Sequence, residues 1–216
     1  MCWSATADLV AGTGITAVGV ACVVCTRTAR DLPLAALPLL LGAHQLVESA
    51  VWRAGGGSGA ATLVWAVVAL PLLALWVPFA VLLAAPAGAR RRLLVPAVAG
   101  VAAAAFLSYW LARGTVTAEI RGHTVGYVID LPYGPPVVVA YLVATVGSLL
   151  LGGDRTVRLL GVVVAAGAAL CAALWRLEYV STWCALAAVA SVLLLRRAAR
   201  RPGPEPGPPA DHGAAG

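Results

Sequence analysis

The sequence predicts an all-α polytopic membrane protein with seven transmembrane helices, its N-terminus outside and its C-terminus cytoplasmic. Three observations carry that expectation. Of the 216 residues 61% are apolar and only 11% charged, with a mean hydropathy of +0.91, whereas a soluble domain is nearer a quarter charged. Apolar runs close to the ~20 residues that a spanning helix needs recur along the whole chain. Arginines punctuate those runs in an alternating pattern. The net charge of +6 would suit nucleic acid, but all fifteen basic residues are arginine, placed singly or in short groups. No phosphate-tracking face can form from them, so nucleic acid is not an expected partner and a soluble enzyme is excluded.

The seven runs, bounded by charge or by Gly and Pro, cover residues 9–25, 32–52, 61–85, 93–111, 136–151, 159–175 and 179–195. Before the first there is no basic residue and after it come Arg27 and Arg30, the reverse of a secretory signal, so it is expected to stay as an uncleaved helix. With the N-terminus outside, the inner segments hold Arg27, Arg30, Arg90–Arg92, Arg155, Arg158 and four arginines from Arg196 to Arg201, eleven in all. The outer segments hold Arg53, Arg113, Arg121 and Arg176, four in all. Six spans would break that alternation.

Between the fourth and fifth runs lies the one long outer connection, residues 112–135. Val116, Ala118 and Ile120 alternate with Thr117, Glu119 and Arg121, and after Gly122 and His123 the period of two resumes at Val125, Tyr127 and Ile129. Such a segment forms either a short hairpin or re-entrant flap over the outer mouth, or a solvated loop. Along the sixth run Gly161, Ala165, Ala169 and Ala173 recur four apart, a smooth face for close helix contact in lipid. Residues 1–195 thus form one membrane domain in the cell membrane. Residues 196–216, basic and then rich in Pro and Gly, are expected to be a disordered cytoplasmic tail.

Ionisable residues inside spans are the most informative positions, because a central charge costs about 3 kcal/mol on insertion scales. His44, Glu48 and Trp52 follow one another at i, i+4 and i+8 on the second span, a polar and aromatic stripe about 12 Å long, with Gln45 at its border. The topology gathers Trp3, Ser4 and Asp8, Tyr109 and Trp110 with Arg113, Trp175 with Glu178, and Ser181 with Trp183 and Cys184 in the same outer half. Glu48, His44, Glu178 and Asp8 are therefore the candidate acids and bases. Trp52, Trp110, Tyr109, Trp175, Trp183, Gln45 and Tyr127 are the candidate lining residues. Against this stand an interfacial belt for the aromatics, a structural acid at Glu48 neutralised by His44 or Arg113, and a surface pair of Glu178 with Arg176.

The spacing of His44 and Glu48 also suits a divalent metal if His123 of the flap supplies a third ligand. Cys22 and Cys25 stand in a CVVC spacing that is redox-active only if both sulfurs are exposed. Cys2 and Cys184 both fall near the outer face and are expected to be neighbours, whether or not they oxidise. Neither an Asp-rich diphosphate motif nor a Walker loop, GxSxG elbow or HExxH is present. Prenyl diphosphate ionisation, ATP use and zincin proteolysis lose support accordingly.

The opening MCWSATAD, the second-span stretch LPLAALPLLLGAHQLVESAVW, the GTVTA of the flap and the STWCALAA of the last span resemble a bacterial family of seven-span proteins beginning MCxSATA, of unassigned function. That family is similar in size and span count to the membrane-bound terpene cyclases of actinobacterial drimentine-type pathways. The resemblance implies an isomerase acting in secondary metabolism on a lipophilic prenylated, farnesylated molecule, with other pathway enzymes as partners. Such a cyclase needs a carboxylic acid kept neutral until it protonates an alkene, and an apolar bundle favours the neutral form. It also needs aromatic faces for the carbocation and a dry pocket, but no metal or organic cofactor. Two other classes fit the residues: a metal-dependent seven-span lipid hydrolase using His44, Glu48 and His123 with Ser4 or Asp8 nearby, and a small transporter or sensor in which Glu48 and Glu178 carry protons.

Reporter fusions test the arginine pattern. Fusions near residues 56, 124 and 177 are expected to report an outside location and fusions near 90, 155 and 200 a cytoplasmic one. A cytoplasmic signal at 124 would remove the flap from the outer face.

Overall fold

The computed structural model describes residues 4–173 and 181–199, with side chains through 170 and from 186. The first helix, α1 (Ala5–Cys25), starts where Ser4 caps it, its hydroxyl accepting from the Ala7 amide at 3.2 Å. It begins four residues before the expected limit and so takes Asp8 into its first turn. The second rod is broken into α2 (Leu32–Ala35) and α3 (Leu37–Arg53). Pro38 marks the break, having no N–H to carry the helical bond back across Ala36, and Pro33 occupies the first turn of α2, where that donor is not needed. At the broken end the Trp76 indole donates to the Pro33 carbonyl at 2.9 Å.

The third rod comprises α4 (Ala60–Val67), a π turn at Val68–Leu72, and α5 (Leu73–Ala84). Pro71 sits inside that turn, where the wider winding accommodates a residue with no amide donor. The fourth, α6 (Ala87–Leu111), begins six residues before the expected limit and carries Arg90–Arg92 within its first turns. A fifth rod combines α7 (Gly134–Leu142), a π turn at Val143–Gly147, and α8 (Ser148–Leu151). Two helices of 19 residues follow, α9 (Arg155–Ala173) and α10 (Ser181–Ala199). Because α10 continues to Ala199, Arg196 and Arg197 belong to a helix and not to the tail.

Among the described residues five rods are long and apolar enough to cross a membrane: Ala5–Cys25, Leu32–Arg53, Ala60–Ala84, Ala87–Leu111 and Gly134–Leu151. The sequence leads one to expect seven. The outward sides of these rods are apolar, as at Val24 (78% exposed) and Val98 (69%), which suits lipid and not water. Inward, Cys22, Leu34, Val81, Leu93, Leu149 and Leu160 form the main buried cluster. Cys22 lies fully inside it while Cys25 is exposed, so the CVVC spacing does not present two accessible thiols. Cys2 falls outside the described residues, as does the side chain of Cys184.

Residues 112–135 form a hairpin. Strands β1 (Val116–Arg121) and β2 (Thr124–Ile129) pair antiparallel, with Val116 opposite Ile129, Ala118 opposite Tyr127 and Ile120 opposite Val125. The alternation read from the sequence thus gives one apolar face. Gly122 takes a positive φ of 63° at the first turn position, as a two-residue type II′ turn requires. The loop at 54–59 extends this small sheet, because Gly57 and Ala118 exchange two backbone hydrogen bonds of 2.8 and 3.0 Å. Gly56 must lack a side chain there: a Cβ would fall 2.5 Å from the Ala118 carbonyl oxygen.

The four arginine-bearing segments assigned to the inner side meet at the opposite end of the bundle. Arg197 of α10 bonds Asp31 at 2.7 Å and approaches Asp154 at 3.8 Å, and Arg30 and Arg90 border the same hollow. On the sixth rod Gly161 abuts the backbone of Leu149 and Leu150, and Gly167 meets Leu186 of α10.

Helices α1 and α3 pack backbone to backbone at three glycines. A Cβ on Gly42 would lie 2.7 Å from the Thr16 backbone nitrogen, one on Gly19 would lie 2.6 Å from the Leu39 nitrogen, and one on Gly12 would lie 3.0 Å from the Gly42 carbonyl oxygen. Replacing Gly42 by Ala is therefore expected to push the helices apart and destabilise the protein by about 1–3 kcal/mol, read as a lowered Tm in detergent. Gly14→Ala, with nothing within 4 Å of the new methyl, is expected to be neutral or to raise the Tm.

Candidate functional site

The α1–α3 contact buries polar groups in one place. Gln45, Glu48 and Ser49 are 4%, 1% and 2% exposed on α3, and Asp8 on α1 is fully buried. The Ser49 hydroxyl donates to the Ala5 carbonyl at 2.7 Å, while Gly12 abuts the Gln45 Cβ. These contacts bracket Asp8 within the helix pair, so α1 and α3 each carry a buried carboxyl group, Asp8 and Glu48. Glu48 is thus not alone as an intramembrane acid. The depth of Asp8 was hidden in the sequence because the helix was expected to begin at residue 9.

The hairpin closes this region from one end of the bundle. Val51, Ala118 and Val125 form a buried cluster against which Trp52 and Tyr127 pack. From β2 the Tyr127 hydroxyl donates to Glu48 Oε1 over a long 3.5 Å. The Tyr127 ring stacks on Trp65 of α4, with centroids 3.4 Å apart and planes within 6°. Trp65 in turn meets His44 at 5.1 Å, tilted by 39°. His44, Trp65 and Tyr127 thereby bring α3, α4 and β2 into one aromatic row ending at the Glu48 carboxyl.

His44 Nε2, Trp52 Nε1 and Trp65 Nε1 are buried with no hydrogen-bond partner among the described residues. An unmade buried hydrogen bond costs about 1–3 kcal/mol, so a polar atom arriving here would be stabilised. Chemically the arrangement offers an acid with a phenol beside it, stacked π faces near by and little access for water.

Other expected residues lie elsewhere. Tyr109 is exposed with the Arg113 guanidinium 4.3 Å above its ring, and Trp110 touches Phe106 at 6.2 Å and Tyr109 at 5.6 Å. Their ring contacts stay on α6 and Arg113, the pattern of an interfacial belt. His123 is exposed at the hairpin turn. Among the described residues no three His, Cys, Asp or Glu side chains converge for a metal, so the alternative ion site of His44, Glu48 and His123 is not assembled. Trp175 and Glu178 fall outside the described residues, as does the side chain of Trp183.

Trp65 and Ser49 were not anticipated. Trp65 sits in an apolar run with no ionisable neighbour at helical spacing, so only the fold brings it to Tyr127. Ser49 directly follows Glu48, and its role depends on a backbone carbonyl of another helix.

Neither a curated protein nor a solved structure matches the chain. Residues 1–209 match the family of unknown function DUF6629, and the chain belongs to that family.

Proposed function

We propose that the protein is a seven-span membrane terpene cyclase, N-terminus outside, that performs protonation-initiated cyclisation of a farnesylated lipophilic molecule. The observation that carries this reading is the buried Glu48 carboxyl with the Tyr127 hydroxyl and the Trp65–Tyr127 stack beside it. In the proposed step the Glu48 O–H proton passes to the terminal alkene carbon, and the alkene π pair becomes the new C–H bond. The resulting tertiary cation is attacked by the next alkene, forming a C–C bond, and a final proton loss restores neutrality with no net oxidation. Aromatic faces attract the moving positive charge. Because Glu48 is 1% exposed, the prenyl chain reaches it only when the hairpin lifts Tyr127 away.

A proton-carrying transporter is the second reading. It is favoured by one specific observation, the burial of both Asp8 on α1 and Glu48 on α3.

Turnover of a farnesylated indole diketopiperazine by purified variants separates the two. Glu48→Gln is expected to keep folding and abundance while lowering turnover by about 10²–10⁴, since the amide cannot supply the proton. Trp52→Phe is expected to be milder, because a smaller π face still stabilises positive charge. If Glu48→Gln stayed active while Asp8→Asn or Glu178→Gln was dead, the acid would be one of those two. Retained activity in all three would exclude a carboxylic acid of this pocket as the proton source.

A further inference from the structure

At the end of the bundle away from Glu48 a hollow of about 470 Å³ opens between the ends of the rods. Its polar wall consists of Thr28, Arg30, Asp31, Arg90, Asp154 and Arg197, and residues 83–87 make the other, apolar wall. That wall joins α5 to α6, both candidate spans. Leu83, 46% exposed, continues it onto the apolar outer surface. The hollow is therefore half charged and half hydrocarbon-facing, at a level where rods give way to loops.

The charges in it are unevenly committed. Asp31 accepts from the Thr28 hydroxyl and from Arg197, the latter at 2.7 Å. Burial acts to raise the Asp31 pKa, but the Thr28 and Arg197 hydrogen bonds and the Arg197 charge outweigh it and hold the carboxyl below its ordinary value, so it is ionised at neutral pH. Asp154 spends Oδ1 on the Thr156 and Val157 amides at 2.7 and 3.1 Å, capping α9, and turns Oδ2 toward Arg197. Both carboxylates are thus engaged within the protein. Arg90 uses only Nε, on the Ala85 carbonyl at 3.2 Å, and Arg30 makes no ion pair or side-chain hydrogen bond among the described residues. Three arginines against two aspartates leave one positive charge, borne where Arg30 and Arg90 have donors to spare.

We propose that this hollow is a binding site for the monoanionic phosphodiester headgroup of an anionic phospholipid, held by Arg30 and Arg90 with an acyl chain lying along Leu83. A single negative charge balances the site. With three arginines against two aspartates the hollow is net positive and repels a cation, and a headgroup with no net charge leaves the positive charge unmatched. The apolar wall favours a phosphate that carries a hydrocarbon chain over a soluble one.

The test uses the full-length protein in nanodiscs of phosphatidylcholine with or without phosphatidylglycerol, with retained lipid counted by native mass spectrometry after detergent exchange. Phosphatidylglycerol is expected to be retained in preference to phosphatidylcholine. Arg30→Gln and Arg90→Gln are each expected to weaken that retention about tenfold. Arg53→Gln, an exposed arginine outside the hollow, is expected to leave it unchanged. Inorganic phosphate at millimolar concentration distinguishes the sources. Failure to displace the lipid supports a headgroup site, whereas displacement would assign the same arginines to a soluble phosphate ester and overturn the lipid. Equal retention of both lipids, or an equal loss in Arg53→Gln, would overturn the site itself.

Discussion

Close approach of α1 to α3 is the constraint on which the rest of the structure depends. Gly12 and Gly19 on one helix and Gly42 on the other let backbones meet where any side chain would collide. In lipid there is no hydrophobic drive between helices, so such packing and the hydrogen bonds it permits supply the association. Both are present here, since the same approach lets Ser49 reach the Ala5 carbonyl and seals Asp8, Gln45 and Glu48 away from solvent. Wider separation would open the carboxyl region to water and remove the feature that distinguishes it.

The hairpin completes what the helix pair begins. Its apolar face needs a cover, and Val51 with its neighbours on the second and third rods provides one. The glycine run at 55–57 makes the seam: all three residues have positive φ, and Gly57 pairs with Ala118. Seating the sheet in this register places Tyr127 over Trp65 and within reach of Glu48. A one-residue slip would turn Tyr127 to the opposite face. Loop glycines with no side chains of their own therefore set the geometry of the acid.

Much of this was legible in the sequence where the signal is local. Hydropathy and arginine spacing located the rods, and the period of two on either side of Gly122 and His123 marked the strands, because both patterns are written in consecutive residues. The His44–Gln45–Glu48 stripe was readable for the same reason. What stayed hidden depends on contacts between distant segments. Trp65 lies in a featureless apolar run, Asp8 looked like an end residue until Ser4 capped the helix before it, and the Arg197 pairing with Asp31 and Asp154 converts residues read as a basic tail into a clasp. For Tyr109 and Trp110 the position at a rod end could not say that their ring contacts would stay on α6 and Arg113.

The two ends of the bundle thus carry opposite chemistry, a sealed acid beneath aromatic rings and an open hollow with spare arginine donors. The account stands or falls on whether the sealed end delivers a proton to carbon. Turnover of a farnesylated indole diketopiperazine by the purified protein in D₂O, with the product examined by mass spectrometry and NMR, measures that directly. The account predicts a cyclised product bearing one non-exchangeable deuterium at the former terminal alkene, absent with Glu48→Gln. Cyclised product without that deuterium, or no product from the intact protein, would contradict it.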